Sequence, residues 1–139
     1  MAVVISLLAV IGMVLSGVSL VNHYKTTPSD FCDIDATFNC DLVNRSIYST
    51  VYKVPVAAIG LAGYFALFVL SRINREKKLF SAILILGSLI GLGFSGWLTY
   101  VEARILYVFC IVCLASAACV LLITILSIVR HARTRELVF

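Results

Sequence analysis

The 139-residue chain is long enough for one domain, and 62% of its residues are hydrophobic whereas only 13% are charged. Soluble domains are nearer half apolar and a quarter charged, so this composition excludes an ordinary soluble domain and indicates an integral membrane protein. The net charge of +4 is small, and the basic residues form no stripe with interleaved aromatic residues, which disfavours nucleic-acid binding.

Four long uncharged segments follow one another along the chain, and each is long enough to cross the hydrocarbon core of a membrane as a helix. They span residues 2–21, 54–71, 79–101 and 105–129. The first is interpreted as a spanning helix rather than a signal peptide, because no basic residue precedes it and no good small-residue cleavage site follows it. The sequence therefore predicts an all-α membrane protein, in which residues 1–139 form a single four-transmembrane-helix bundle.

The longest polar segment, residues 23–53, lies between the first two predicted spans and shows neither helical nor strand periodicity. We interpret it as a long loop with short helical turns, and residues 102–104 as a tight turn. Lys and Arg are fewer in this loop and turn than in the second loop and the C-terminal tail, so both termini are predicted to be cytoplasmic and the long loop extracytoplasmic. The basic residues of the predicted cytoplasmic side are Arg72, Arg75, Lys77, Lys78, Arg130, Arg133 and Arg135.

Four of the five cysteines are predicted to lie on the extracytoplasmic side as two pairs. Cys32 and Cys40 belong to the long loop. Cys110 and Cys113 form a Cys-x-x-Cys pair near the start of the last predicted span, about 8 Å along the helix from Ile105. Thiols at i and i+3 share one face of a helix, and a helix start favours the thiolate.

This arrangement predicts a relay of electrons between the two pairs. Thiol–disulfide exchange requires one sulfur to attack another in a disulfide, so a loop that brings Cys32 or Cys40 to Cys110 would connect a soluble thiol protein to the membrane pair. The membrane pair lies at the edge of the hydrocarbon, where a lipid-soluble oxidant can reach it. Membrane quinones accept two electrons, which matches one dithiol.

Other interpretations of these residues remain open at this point. The Cys32–Cys40 pair is also compatible with a purely structural loop disulfide in a non-catalytic membrane bundle. Cys119 lies deeper in the last span and is interpreted as a small packing residue. A four-cysteine zinc site is disfavoured because the gap between Cys32 and Cys40 is too wide for a short-spaced ligand pair, so no metal is expected. A channel or transporter is disfavoured because the predicted spans contain no Asp, Glu, Lys or Arg.

The chain contains a set of motifs that resembles, in residue types and in their order, the vitamin K epoxide reductase family, in particular its microbial members. The motifs are Cys32-Asp33, Cys40, Val43, Ser46, Gly60, Tyr64, Tyr100-Val-Glu102, Cys110-Ile-Val-Cys113 and Cys113-Leu-Ala-Ser-Ala117. The resemblance implies a four-helix bundle around a quinone pocket, and an oxidoreductase that acts on thiols with a menaquinone- or ubiquinone-type acceptor.

The resemblance also implies a role for each site residue. Cys32 would exchange with a separate thioredoxin-like protein outside the cytoplasm, because this chain shows no fused thioredoxin-like domain. Cys40 would then exchange with Cys110, and Cys113 would be the thiol beside the quinone. Ser46 would lie on the loop segment that caps the pocket and would orient the quinone ring or the cysteines, although a turn or helix-cap role is also open for it.

Two positions depart from the vertebrate members of that family, which have an Asn in the second span and a Tyr after the redox pair at the vitamin K head group. By alignment on Gly60 and Cys113, these positions are Val56 and Ala117 here. Neither side chain can donate a hydrogen bond. The departures favour quinone reduction coupled to disulfide formation, with reduction of vitamin K or its epoxide as the alternative activity.

Overall fold

The computed structural model describes residues 2–25, 37–73 and 78–138. The longest helices in these ranges are α1 (Ala2–Tyr24), α3 (Val56–Arg72), α4 (Lys78–Val101) and α5 (Ile111–Val138). A short helix, α2 (Cys40–Asn44), a 3-10 turn (Ile47–Ser49) and a hairpin of β1 (Thr50–Val51) and β2 (Val54–Pro55) lie between α1 and α3. Because Cys32 falls in the gap between residues 25 and 37, the prediction for Cys32 lies outside the described residues.

The long helices are apolar on most of their surface. Within the described residues, three helical segments are long and apolar enough to cross a membrane: Ala2–Tyr24, Lys78–Leu106 and Ile111–Glu136. α3 is equally apolar in character but shorter, with 17 residues. Large apolar side chains stay exposed along these helices, for example Leu7 (58%) and Leu86 (60%). Such a surface is stable in lipid and not in water, so the chain is an integral membrane protein built mostly of helices.

The helices pack so that α1 lies against α3 and α5, while α4 lies against α5 and makes a smaller contact with α3. Their shared interior is a group of buried side chains that we call the helix core. Its members are Ile5, Ala9, Tyr64, Leu67, Leu84, Cys119, Val120 and Ile123.

Tyr64 ties three helices together within the helix core. Its hydroxyl lies 2.6 Å from the carbonyl oxygen of Ser116 and 2.8 Å from the Ser116 Oγ, which connects α3 to α5. Its ring lies against α1 at Gly12, where an added Cβ would overlap with the ring atoms. The absence of a side chain at Gly12 therefore allows the close approach of α1 to α3.

A second buried group, the thiol cluster, lies where α2 meets the start of α5. It consists of Cys40, Val43, Cys110 and Val112. Two backbone hydrogen bonds hold it together: Phe109 N–H donates to the Thr37 carbonyl (2.8 Å), and Asn39 N–H donates to the Phe109 carbonyl (3.1 Å). They pair residues 37–39 with Phe109 in the manner of a short parallel bridge.

The connection between α4 and α5 differs from the sequence prediction. A π-helical turn, Glu102–Leu106, continues α4 where a tight turn was predicted, and α5 begins at Ile111 rather than at Ile105. The chain leaves the helix at Tyr107, which has a positive φ of 53°, while the Glu102 carbonyl accepts hydrogen bonds from the backbone N–H groups of Tyr107 and Val108. As a result, Cys110 does not lie inside the first turns of a helix but immediately before one.

Candidate redox site

The sulfur atoms of Cys40 and Cys110 are in direct contact. Both residues are fully buried, and their Sγ atoms are 3.0 Å apart, with the Cys110 thiol donating to the Cys40 sulfur. Cys40 is the first residue of α2, whose N-cap is Asn39: the Asn39 Oδ1 accepts a hydrogen bond from the Leu42 N–H at 2.9 Å. The cap and the bridge to Phe109 thus fix the two sulfurs opposite each other.

The cysteines differ in oxidation state. Cys40 is disulfide-bonded, whereas Cys110, Cys113 and Cys119 carry free thiols. A free thiol in contact with a disulfide-bonded sulfur is the arrangement from which thiol–disulfide exchange proceeds. The structure therefore brings together two of the predicted site residues, Cys40 and Cys110.

The position of Cys110 favours its thiolate form. A hydrogen bond with the Cys113 thiol lowers the pKa of Cys110 below its ordinary value, and burial opposes this effect. The backbone N–H groups of Cys113 and Val112 lower the pKa of Cys110 further, since they are unpaired donors in the first turn of α5. The negative charge of Glu102 acts in the opposite direction. The lowered pKa makes the Cys110 thiol easier to ionise than an ordinary cysteine thiol.

Glu102 is a buried carboxyl group beside both redox-pair cysteines, with only 2% of its surface exposed. Its Oε2 accepts a hydrogen bond from the Cys110 backbone N–H at 3.2 Å, and its carboxyl group also lies within hydrogen-bonding reach of the Cys113 thiol. The side chain thus closes the irregular segment between α4 and α5 and orients the Cys-x-x-Cys turn.

Cys113 borders a cavity of about 600 Å³, whereas Cys40 and Cys110 do not. The walls come from α1, α2 and the segment that follows it, α3, α4 and the first turns of α5, and most of their surface is apolar. Polar groups on the wall include His23, Asn44, Ser46, Ser49, Glu102 and Ser116. The size and the apolar wall with a few polar groups are typical of pockets for small organic ligands.

Ser46 lies on the cavity wall and is half-buried. Its hydroxyl donates to the Val43 carbonyl at 2.8 Å, and its own carbonyl accepts hydrogen bonds from the Ser49 N–H (3.0 Å) and the Ser49 hydroxyl (2.6 Å). In this arrangement Ser46 stabilises the turn after α2, and its hydroxyl proton is already used.

Sequence reasoning gave no role in this site to two polar residues, Glu102 and Asn44, although Glu102 belongs to one of the motifs of the family resemblance. Glu102 carried a usable signal, since a lone carboxylate next to a long apolar segment is costly in a membrane and marks a site of function. Asn44 carried none, because it is one of several polar residues in the segment 23–53. Its place on the wall depends on the fold of α2.

No curated protein sequence matches the chain, so its relationship to known proteins depends on a family model. The model of the vitamin K epoxide reductase family matches residues 3–128, which is most of the chain. The chain therefore belongs to the vitamin K epoxide reductase family and is a membrane-embedded oxidoreductase.

Proposed function

We propose that the protein is a membrane thiol oxidase that transfers electrons from a separate thioredoxin-like protein to a quinone and so drives disulfide formation. The route runs through Cys32, Cys40, Cys110 and Cys113. The observation that carries the proposal is the 3.0 Å contact between the Cys40 and Cys110 sulfurs, because exchange between a loop pair and a membrane pair requires it.

The first half of the cycle oxidises the partner. A thiolate of the reduced partner attacks Cys32 of the loop disulfide, the Cys40 thiolate leaves, and the second partner thiol releases Cys32 as the partner disulfide forms. The Cys40 thiolate then attacks Cys110 of the membrane disulfide and releases the Cys113 thiolate. Finally Cys32 attacks Cys40, which restores the loop disulfide and leaves Cys110 and Cys113 reduced. Free Cys110 and Cys113 beside a disulfide-bonded Cys40 match the state that follows this transfer.

The second half of the cycle re-forms the Cys110–Cys113 disulfide. The dithiol loses two electrons and two protons, and a quinone of the menaquinone or ubiquinone type accepts them when it is bound. The cavity fits such a molecule, because it has an apolar wall for a ring and a tail and is bordered by Cys113. Cys113 and Ser46 are the predicted residues that would face the ring. Glu102, within reach of the Cys113 thiol, is placed to receive its proton.

We further propose that α3 is a fourth membrane span, and that residues 1–139 form one transmembrane domain with both termini in the cytoplasm. The length and packing of α3 support this, because its 17 residues reach the lower end of the range of roughly 17–25 residues for a transmembrane helix and it packs against α1, itself a candidate span. The thiol cluster would then face the extracytoplasmic side, where oxidising conditions maintain disulfides.

Reduction of vitamin K epoxide is the alternative activity within this family. Val56 lies on the cavity wall and offers no hydrogen-bond donor from its side chain, which favours plain quinone reduction. A non-catalytic bundle with a structural disulfide does not account for a free thiol in contact with the disulfide-bonded Cys40.

Anaerobic quinone reduction by the purified protein with a reduced thioredoxin-like partner tests the proposal. The Cys113→Ala variant should lose turnover by roughly a thousandfold or more, as expected when a reacting group is removed. Cys119→Ala is the matched control, because Cys119 is a free, buried cysteine of the same helix outside the thiol cluster. Turnover at the wild-type rate in Cys113→Ala would eliminate the scheme.

A further inference from the structure

The Asn44 side chain is buried with an unused hydrogen-bond donor. Asn44 is 7% exposed, and its Nδ2 has no hydrogen-bond partner in the described part of the chain. A buried N–H group that lacks a partner costs free energy, so such groups are rare unless something outside the chain satisfies them. Asn44 also lies on the wall of the cavity that Cys113 borders.

The backbone around Asn44 is held firmly in place. His23 of α1 donates from Nδ1 to the Asn44 carbonyl at 2.5 Å, and Arg45 donates from Nη2 to the Lys25 carbonyl at 2.6 Å. These bonds attach the end of α2 to the end of α1, while Asn39 caps the start of α2. The backbone of Asn44 is therefore anchored to α1, which limits where its side-chain amide can lie.

Neighbouring hydroxyl groups on the wall are already engaged. The Ser46 hydroxyl donates to Val43, and the Ser49 hydroxyl donates to Ser46. Tyr64 pairs with Ser116. Within the described residues, the buried side-chain N or O atom that lacks a hydrogen-bond partner is the Asn44 Nδ2, which is a donor for a ligand with acceptor atoms. A quinone suits this donor, because its ring carries carbonyl acceptors and no donors.

We propose that the Asn44 Nδ2–H donates a hydrogen bond to a carbonyl oxygen of the quinone, which makes Asn44 a binding and specificity residue of this cavity. The inference rests on the proposed quinone function. An amide N–H at the carbonyl oxygen also stabilises negative charge that develops there during reduction.

A binding experiment with two matched probes tests the inference. The probes are 2,3-dimethyl-1,4-naphthoquinone and 2,3-dimethylnaphthalene, which share the ring system and differ in the carbonyl oxygens. Binding is measured in one detergent on proteins that all carry Cys113→Ala, so that the quinone is not reduced through that thiol. Asn44→Leu should weaken binding of the quinone by about tenfold, the loss expected for one hydrogen bond, and should leave the hydrocarbon within about twofold.

Two further variants make the result specific. Asn22→Leu is the matched control, since Asn22 is a buried asparagine of α1 outside this cavity wall, and quinone binding should be unchanged in it. Asn44→Asp keeps the shape of the side chain but replaces its NH₂ group, so it should weaken quinone binding at neutral pH as Asn44→Leu does. Infrared spectra of the bound, carbonyl-labelled quinone should show one carbonyl band at lower frequency in the protein that retains Asn44 than in Asn44→Leu or Asn44→Asp.

The outcomes separate this inference from the function on which it rests. Unchanged quinone binding in Asn44→Leu and Asn44→Asp, or an equal loss for both probes in each, would overturn the role of Asn44. The proposed function would still stand in that case if the protein with Cys113 reduced the quinone. Conversely, a selective loss of quinone binding together with no quinone reduction by the Cys113 protein would support the binding role and refute the oxidase.

Discussion

The two buried regions of the protein that contain cysteines, the thiol cluster and the helix core, show how strongly surroundings decide what a cysteine does. Cys110 and Cys119 are both buried and free, and fewer than three helical turns separate them. Cys110 is surrounded by a second sulfur, unpaired backbone N–H groups and a carboxyl group. Cys119 is surrounded by the apolar side chains of the helix core.

The regions also differ in what holds them together. The helix core depends on apolar packing and on the close approach of Tyr64 to Gly12. The thiol cluster depends on backbone hydrogen bonds between distant segments, residues 37–39 and Phe109, and on the Glu102 carboxyl group. Apolar packing therefore holds the long helices together, and the backbone hydrogen bonds place the sulfurs of Cys40 and Cys110 next to each other.

The largest expected effect is the capture of a disulfide in Cys113→Ala. Without Cys113, the Cys110 thiolate has one sulfur to attack, that of Cys40. A Cys40–Cys110 disulfide should form as Cys40 exchanges its existing partner for Cys110, and that partner should leave as a free thiol. Mass-spectrometric mapping after thiol blocking should find this link in most of the Cys113→Ala protein.

The control for this capture is the double variant Cys113→Ala with Cys110→Ala, which leaves Cys119 as the free thiol of α5. Its distance from the thiol cluster predicts no link between Cys119 and Cys40. Finding Cys40 joined to Cys119, or finding no Cys40–Cys110 link in Cys113→Ala, would show that the contact between the sulfurs does not support exchange.

The structures of the two regions also differ in how well they can be predicted from the sequence. The long helices and the Cys-x-x-Cys pair were predictable, because the length of an uncharged segment and the spacing of two thiols are local properties. The placement of Cys110 immediately before α5 was not, because it depends on Glu102, eight positions earlier, whose carboxylate accepts the Cys110 N–H. The contact of Cys40 with Cys110 was implied by the family resemblance, whereas its geometry depends on Asn39 and Phe109, which pair across about half of the chain.

The next largest effect concerns the packing of the helix core. Gly12→Ala should destabilise the protein by about 1–3 kcal/mol, the usual cost of overpacking, because the new Cβ overlaps with the Tyr64 ring. Gly17→Ala on the same helix is the control, since nothing lies within 4 Å of a Cβ there. Unfolding in detergent by denaturant should show a loss for Gly12→Ala alone. Equal stability of the two variants would mean that Tyr64 does not depend on this approach.

A smaller effect concerns the charge near the thiol cluster. Glu102 raises the pKa of Cys110 against the lowering by Cys113, so Glu102→Gln should lower the pKa of Cys110 further. The ultraviolet absorbance of the thiolate, recorded against pH, should then begin to rise at lower pH than in the wild type. The Gln side chain keeps an oxygen that can accept the Cys110 N–H, so Cys40 and Cys110 should stay in contact. A shift of the titration toward higher pH would show that Glu102 does not act on Cys110 through its charge.

The smallest expected effect lies at the tip of the hairpin that follows α2. Tyr52 and Lys53 both have positive φ, 50° and 66°, which disfavours residues other than glycine, Asn or Asp. Lys53→Gly removes this strain and should stabilise the protein by about 1 kcal/mol or less, part of the gain being offset by the greater freedom of glycine in the unfolded chain. Thr50→Gly is the control, because Thr50 has the extended φ of −127° that gains nothing from glycine, so it should destabilise. Neither Lys53→Gly nor Thr50→Gly alters a cysteine, so both should still form the Cys40–Cys110 disulfide in the Cys113→Ala background. Loss of that disulfide in Lys53→Gly would show that the strained hairpin, and not the backbone bridge to Phe109, sets the position of Cys40.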